Sequence, residues 1–129
     1  MANVIKKLNV YLADLNVMYR KVQNYHWNVD GRNFFTIHAK LEEYYDEINE
    51  NIDSIAERIL SIKGRPYRTM NKYLEITNIK EANDEEITDL DLVKILKADF
   101  ETLLGEVKDI KAAADKADDY GTSAMMDEL

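Results

Sequence analysis

His26 and His38 are the only histidines in a chain that carries 25 Asp and Glu against 17 Lys and Arg. Imidazole nitrogens set among carboxylates form a donor set for a divalent cation. The two histidines stand at mirror positions about Arg32, near the middle of a short connection. If that connection joins antiparallel helices, both rings reach the same level. Downstream, His38, Glu42, Asp53 and Glu57 fall within an arc of roughly 100° when drawn at about 100° per residue. That arc is centred roughly 110° from the middle of the apolar stripe on the same segment. Phe35, Ala56 and Leu60 share the acidic face. A face meant only for water has no use for them, so the pattern points to burial against a partner.

The spacing then limits how one metal can be held. His38 and Glu42 are one helical turn apart, as are Asp53 and Glu57, but about 16 Å of helix separates Glu42 from Asp53 at about 1.5 Å per residue. One centre cannot use both pairs from one chain. A second copy, packed antiparallel across a twofold axis between Glu47 and Ile48, sets position 38 against 57 and 42 against 53. Twofold contacts are the commonest oligomer symmetry. The expectation is two equivalent sites, each taking His26, His38 and Glu42 from one copy and Asp53 and Glu57 from the other. With no cysteine in the chain, thiolate sites are excluded, and oxygen and imidazole donors suit iron, manganese or zinc.

Long helices must position these groups. Val4, Leu8, Leu12, Leu15, Met18, Val22 and Tyr25 recur at three- and four-residue steps, which predicts a helix from about Val4 to Tyr25 ending near Asp30-Gly31. Asn33 is placed to cap a second helix with the stripe Phe34, Ile37, Leu41, Tyr45, Ile48, Ile52, Ile55 and Ile59, stopping at Lys63-Gly64 before Pro66. Arg65 to about Ile87 reads as a long crossover with a short helix near Met70–Glu75. Thr88 caps a third long helix, with Asp91 at its third position and Leu90, Val93, Leu96, Phe100, Leu103, Val107, Ile110 and Ala114 as its stripe. Asp118-Asp119-Tyr120-Gly121 breaks it, and Thr122 or Ser123 starts a shortened fourth helix. The fold class expected is all-α: one four-helix-bundle domain over residues 1–129 with a short helix in the crossover.

Composition narrows the function further. The 129 residues suit a single domain, and a net charge of −8 favours cations over nucleic acid. No basic tail offers the clustered Lys and Arg that phosphates require, so direct DNA binding is not expected. No apolar run is long enough to cross a membrane. No charged segment followed by an apolar one opens the chain, so a cytoplasmic location is expected.

Tyr25-His26-Trp27-Asn28-Val29, Gly31-Arg32-Asn33-Phe34-Phe35-Thr36-Ile37-His38 and Asp53-Ser54-Ile55-Ala56-Glu57-Arg58 together resemble the Dps family of mini-ferritins. The resemblance extends over nearly the whole chain in helix order. It implies a ferritin-like bundle and a ferroxidase centre whose ligands map to His26, His38, Glu42, Asp53 and Glu57, shared between subunits. It further implies iron as the metal, oxidation of Fe(II) preferentially by hydrogen peroxide, ferric storage, protection against oxidative stress, and a hollow dodecamer. Glu42 departs from the family, which usually has Asp there, and the fourth helix normally runs on beyond the equivalent of Leu129. Trp27 corresponds to an aromatic residue beside the iron site. Asp115, Asp118, Asp119 and Asp127 are candidates for an iron entry pore. Two other readings remain open on the sequence: a DNA-associating protein, and a non-catalytic helical oligomer.

Overall fold

The computed structural model covers residues 1–129. Its elements are α1 (Ala2–Asn28), β1 (Val29–Asp30), α2 (Phe34–Ser61), α3 (Met70–Ile76), β2 (Ile87–Thr88), α4 (Asp89–Lys116) and α5 (Tyr120–Glu128). The expected all-α bundle is the one observed. Every residue of the α1 stripe is buried, from Val4 to Tyr25. On α2, Leu41, Ile48, Ile55 and Ile59 are buried, and Phe34, Ile37, Tyr45 and Ile52 pack partly against the same core. The ends are longer than periodicity alone indicates, because polar residues can occupy a helix turn that has no buried face.

Two short strands, absent from the sequence expectation, fix where α2 and α4 begin. Val29 pairs with Ile87 and Asp30 with Thr88 in parallel. Both helices therefore start at the same end of the bundle and run the same way. The segment between them must travel back along the whole of α2, which at 28 residues is about 42 Å long.

Buried polar groups on α1 hold that returning segment. Asn9 donates to the Arg65 carbonyl at 3.0 Å and accepts from the Tyr67 amide at 2.9 Å. The Asp14 carboxylate accepts from the Thr77 hydroxyl and the Asn78 amide, both at 2.6 Å. Lys21 donates to the Lys80 carbonyl at 2.6 Å and lies 2.7 Å from the Asp99 carboxylate on α4. Thr69 caps α3 by accepting from the Lys72 amide.

Three expectations are corrected. Asn33 occupies the cap position of α2 without capping it, and its amide instead donates to Asp89 at 3.2 Å. Thr88 does cap α4, but the first turn is phased differently. Leu92 is buried there, while Leu90 and Val93 are 72% and 53% exposed. The fourth helix begins at Tyr120 rather than at Thr122 or Ser123. Its cap is Asp119, which accepts from the Thr122 amide at 3.2 Å and from the Arg58 guanidinium at 2.7 Å. Arg58 also donates to the Thr122 hydroxyl at 3.0 Å, so one α2 side chain docks the start of α5. Burial alone would raise the Asp119 carboxyl, but the Thr122 and Arg58 hydrogen bonds and the Arg58 charge outweigh it and hold it below the ordinary range.

Two glycines should respond oppositely to alanine. At Gly64, where α2 ends, an added Cβ would lie 2.8 Å from Ile5 and 2.9 Å from Ile59, so Gly64→Ala should lower stability by about 1–3 kcal/mol. At Gly105, within α4, nothing lies within 4 Å, so Gly105→Ala should raise stability by about 0.5–1 kcal/mol. Urea unfolding midpoints check both signs. Asp119→Ala should lose about 1–2 kcal/mol at neutral pH through loss of the cap. Because the Asp119 carboxyl is depressed in the folded chain, its contribution is present above the unfolded value of about 3.9 and is lost as pH falls through the folded one. The gap between wild type and Asp119→Ala should therefore close on acidification, and a gap constant down to acid unfolding would refute the assignment.

Candidate metal centre

The tight α1–α2 connection brings His26, in the last turn of α1, against His38, in the second turn of α2. Their rings stack with centroids 3.6 Å apart and planes inclined by 14°. Each Nδ1 faces the other residue's backbone carbonyl: His26 Nδ1 is 2.5 Å from the His38 oxygen, and His38 Nδ1 is 2.6 Å from the His26 oxygen. A carbonyl oxygen can only accept, so each Nδ1 carries the proton. The neutral ring then keeps its free lone pair on Nε2. Such outer hydrogen bonds fix the tautomer and orientation of a metal-binding imidazole.

Aromatic groups wall this pair. Tyr45 meets the edge of His26 with centroids 5.2 Å apart, and Tyr19 meets the edge of Tyr45 at 5.8 Å. On the other side Phe34 stacks on His38 at 5.1 Å and touches the exposed Phe35. Burial, followed by the nearby Glu42 carboxylate, pushes the Tyr45 hydroxyl above its ordinary range. In the sequence Tyr45 stands out only as part of the core stripe, and Tyr19 belongs to no motif. The available signal was their spacing: Tyr45 lies two turns beyond His38 and Tyr19 two turns before His26, which puts each tyrosine on its histidine's face.

His26 is 5% exposed, His38 is half-buried, and Glu42, Asp53 and Glu57 are all on the surface of the single chain. His26, at the end of α1, lies with His38 and Glu42 at the start of α2, whereas Asp53 and Glu57 lie about three and four turns beyond Glu42. No three His, Asp or Glu side chains converge within one chain to hold a metal ion. The apolar residues of this face are uncovered as well, with Trp27, Phe35 and Leu60 at 52%, 84% and 49% exposure. Arg20 lies over the Trp27 ring at 5.9 Å.

Among the acids considered for an entry pore, Asp119 is buried and bound to Arg58, which takes it out of that set. Asp127 pairs with Lys111 at 3.2 Å, and Asp118 accepts from the Tyr120 hydroxyl at 3.0 Å. Asp115 is exposed.

The chain matches the ferritin-like domain family over residues 5–129. It is 45% identical over 122 residues to the DNA protection during starvation protein of Brevibacillus brevis, covering 95% of this chain and 81% of that protein. It is 39% identical over 123 residues to general stress protein 20U of Bacillus subtilis, covering 95% and 84%. Among solved structures, a Dps protein from Bacillus brevis superposes with a TM-score of 0.94 at 44% identity, over 98% of this chain and 85% of that one. Dps from Vibrio cholerae O1, described as a member of a broad superfamily of ferritin-like diiron-carboxylate proteins, gives 0.94 at 38% identity over 98% and 79%. No helix of the chain is long and apolar enough to cross a membrane. A histidine pair locked by reciprocal bonds on a ferritin-like bundle, with relatives of this identity and coverage, places the chain in the Dps family.

Proposed function

We propose that the chain is a ferroxidase and iron store that consumes peroxide and thereby limits oxidative damage, working at sites shared between two copies. The observation that carries this is the His26–His38 pair. Two lone pairs are held ready by backbone carbonyls on a face whose carboxylates form no ion pair within the chain and whose Phe35 and Leu60 stay exposed. In the proposed arrangement a second copy lies antiparallel along α2, as the spacing requires. His26, His38 and Glu42 of one copy then face Asp53 and Glu57 of the other, twice per pair of chains. Phe35, Ala56 and Leu60 supply the apolar contact around them, and Trp27 sits beside the site. Higher assembly follows the family, as a dodecamer with a cavity for ferric mineral. The location is proposed as cytoplasmic.

Fe(II) is the substrate. The imidazoles are neutral donors that accept the divalent ion, and the carboxylates add the negative charge that favours the oxidised ion. Two Fe(II) give up one electron each, and hydrogen peroxide takes both with two protons to yield water. The chain's part is to hold the donors at fixed positions before iron arrives. Glu42 keeps the carboxylate the family has at this position on a longer arm, and its charge lies beside the Tyr45 hydroxyl. Direct DNA binding is not part of this reading, since a net charge of −8 opposes phosphate contact.

Complementation tests the shared site. His26→Ala/His38→Ala and Asp53→Ala/Glu57→Ala should each reduce Fe(II)-dependent peroxide consumption by at least about tenfold, the range for disrupted metal sites, while still assembling. Reassembled from an equal mixture, the two variants should regain about a quarter of wild-type activity. Half of randomly formed pairs are mixed, and each mixed pair carries one intact site. No recovery from an assembled mixture would sink the shared arrangement. Full activity in His26→Ala/His38→Ala would sink the ferroxidase reading itself. Anomalous diffraction from iron-soaked crystals would locate the metal directly.

A further inference from the structure

We propose that Asp14 on α1 and Glu106 on α4 form a proton-binding site inside the bundle: one proton shared between two carboxyls, clasping the crossover to both helices. Asp14 is 0% exposed. Its Oδ1 already accepts from the Thr77 hydroxyl and the Asn78 amide, and Glu106 Oε1 accepts from the Asn78 side-chain amide at 2.9 Å. The remaining oxygens, Asp14 Oδ2 and Glu106 Oε2, are both buried and neither receives a hydrogen bond. Asn78 bridges the two carboxyls, its backbone amide donating to Asp14 and its side-chain amide to Glu106. Two carboxylates side by side in a poorly solvated pocket cannot both stay ionised. A single carboxylic O–H donated from one to the other satisfies both orphan oxygens at once.

The surroundings favour a proton over a metal ion. No Lys or Arg is ion-paired with either carboxyl, and no third His, Asp or Glu completes a cation cage. From α1, Tyr11 faces the pair. Burial, then Glu106 and Asp14, push its hydroxyl up to about 12, so it stays neutral. From α4, Asp109 adds like charge, itself bound to Lys7 at 2.5 Å. The crossover contributes only the uncharged Thr77 and Asn78. A cleft bordered by Lys6, Lys7, Asn78 and Asp109 opens onto Glu106 and gives the proton a route to water. Burial and the Asp14 hydrogen bond push the Glu106 carboxyl up to about 8, and the titration belongs to the pair rather than to one residue.

The folded chain thus holds one proton more than the unfolded chain between the ordinary Glu value of about 4.3 and about 8. Stability must fall as pH rises through that interval and level off above it. Glu106→Gln supplies an N–H donor to Asp14 at every pH with nearly the same shape. In the full-length assembled protein, the wild-type urea midpoint should fall from pH 5 to about pH 8, and this slope should be reduced in Glu106→Gln. Infrared spectra of the folded wild type at neutral pH should carry a protonated-carboxyl C=O band that is lost at alkaline pH and missing from the variant. Asp14→Asn is the second variant, and it too should lack the band. A wild type without the band, or a slope unchanged in both variants, overturns the proposal. So does a melting temperature raised by Mg²⁺, Ca²⁺ or Mn²⁺ in wild type but not in Glu106→Gln, which would make the pocket a cation site.

Discussion

The register between α1 and α2 is the constraint on which the rest of the molecule depends. It is set at a connection of a few residues, where Gly31 adopts φ of 140° and packs so close to Asp89 that a Cβ would sit 2.8 Å from that carboxylate. A side chain there would be strained by its backbone angle and by the contact together. The reciprocal bonds between each histidine ring and the other's carbonyl act on the same register. A slip of one residue would break both bonds and turn one imidazole away from the other. The backbone and the candidate site are therefore locked by the same two hydrogen bonds. The parallel pair of short strands beside them carries the alignment over to α4.

From that end, α1 organises the remainder of the fold through polar groups as much as apolar ones. Asn9, Asp14 and Lys21 are all buried, and each bonds a different stretch of the crossover. Burying such groups is costly unless every partner is supplied. A long segment with little regular structure supplies them cheaply, because its backbone groups are not already engaged in a helix. The crossover is thus held by satisfying the polar groups of α1, with Ile79 as its one fully buried apolar anchor. Lys21 extends the scheme by pairing with Asp99, tying α1, the crossover and α4 at one level.

Much of this was legible in the sequence, and the exceptions share a physical cause. Helical period alone located α1, α2 and α4, because an apolar stripe must face a core wherever the helix lies. It placed the short helix correctly and identified Thr88 as a cap. It could not see that Asn9, Asp14 and Lys21 are interior, since polar residues on a helix read as solvent-facing until their partners are known. It misphased the first turn of α4 because Leu90, Leu92 and Val93 allow two faces, and only the pairing of Ile87 and Thr88 with β1 selects Leu92. It started α5 too late because the cap depends on Arg58, sixty-one positions away in the chain. At the site, the pairing of His26 with His38 followed from mirror spacing, whereas the Nδ1–carbonyl bonds depend on backbone geometry that residue types do not encode.

The face that carries Asp53 and Glu57 brings two unfavourable features together in an isolated chain. Its apolar residues, Phe35 foremost at 84% exposure, lie in water, and its carboxylates repel one another with no cation between them. In the proposed arrangement one event removes both. Contact between two copies of α2 buries the apolar groups, and iron neutralises the acids gathered at the seam. Neither alone is sufficient: apolar burial without the metal concentrates negative charge, and the metal without the second copy has only two imidazoles and one carboxylate. Site formation and assembly are then coupled, and by linkage iron should strengthen the contact as much as the contact strengthens iron binding. In that arrangement the coupling would confine the chemistry to assembled protein. Fe(II) would meet peroxide only where the ferric product can be retained.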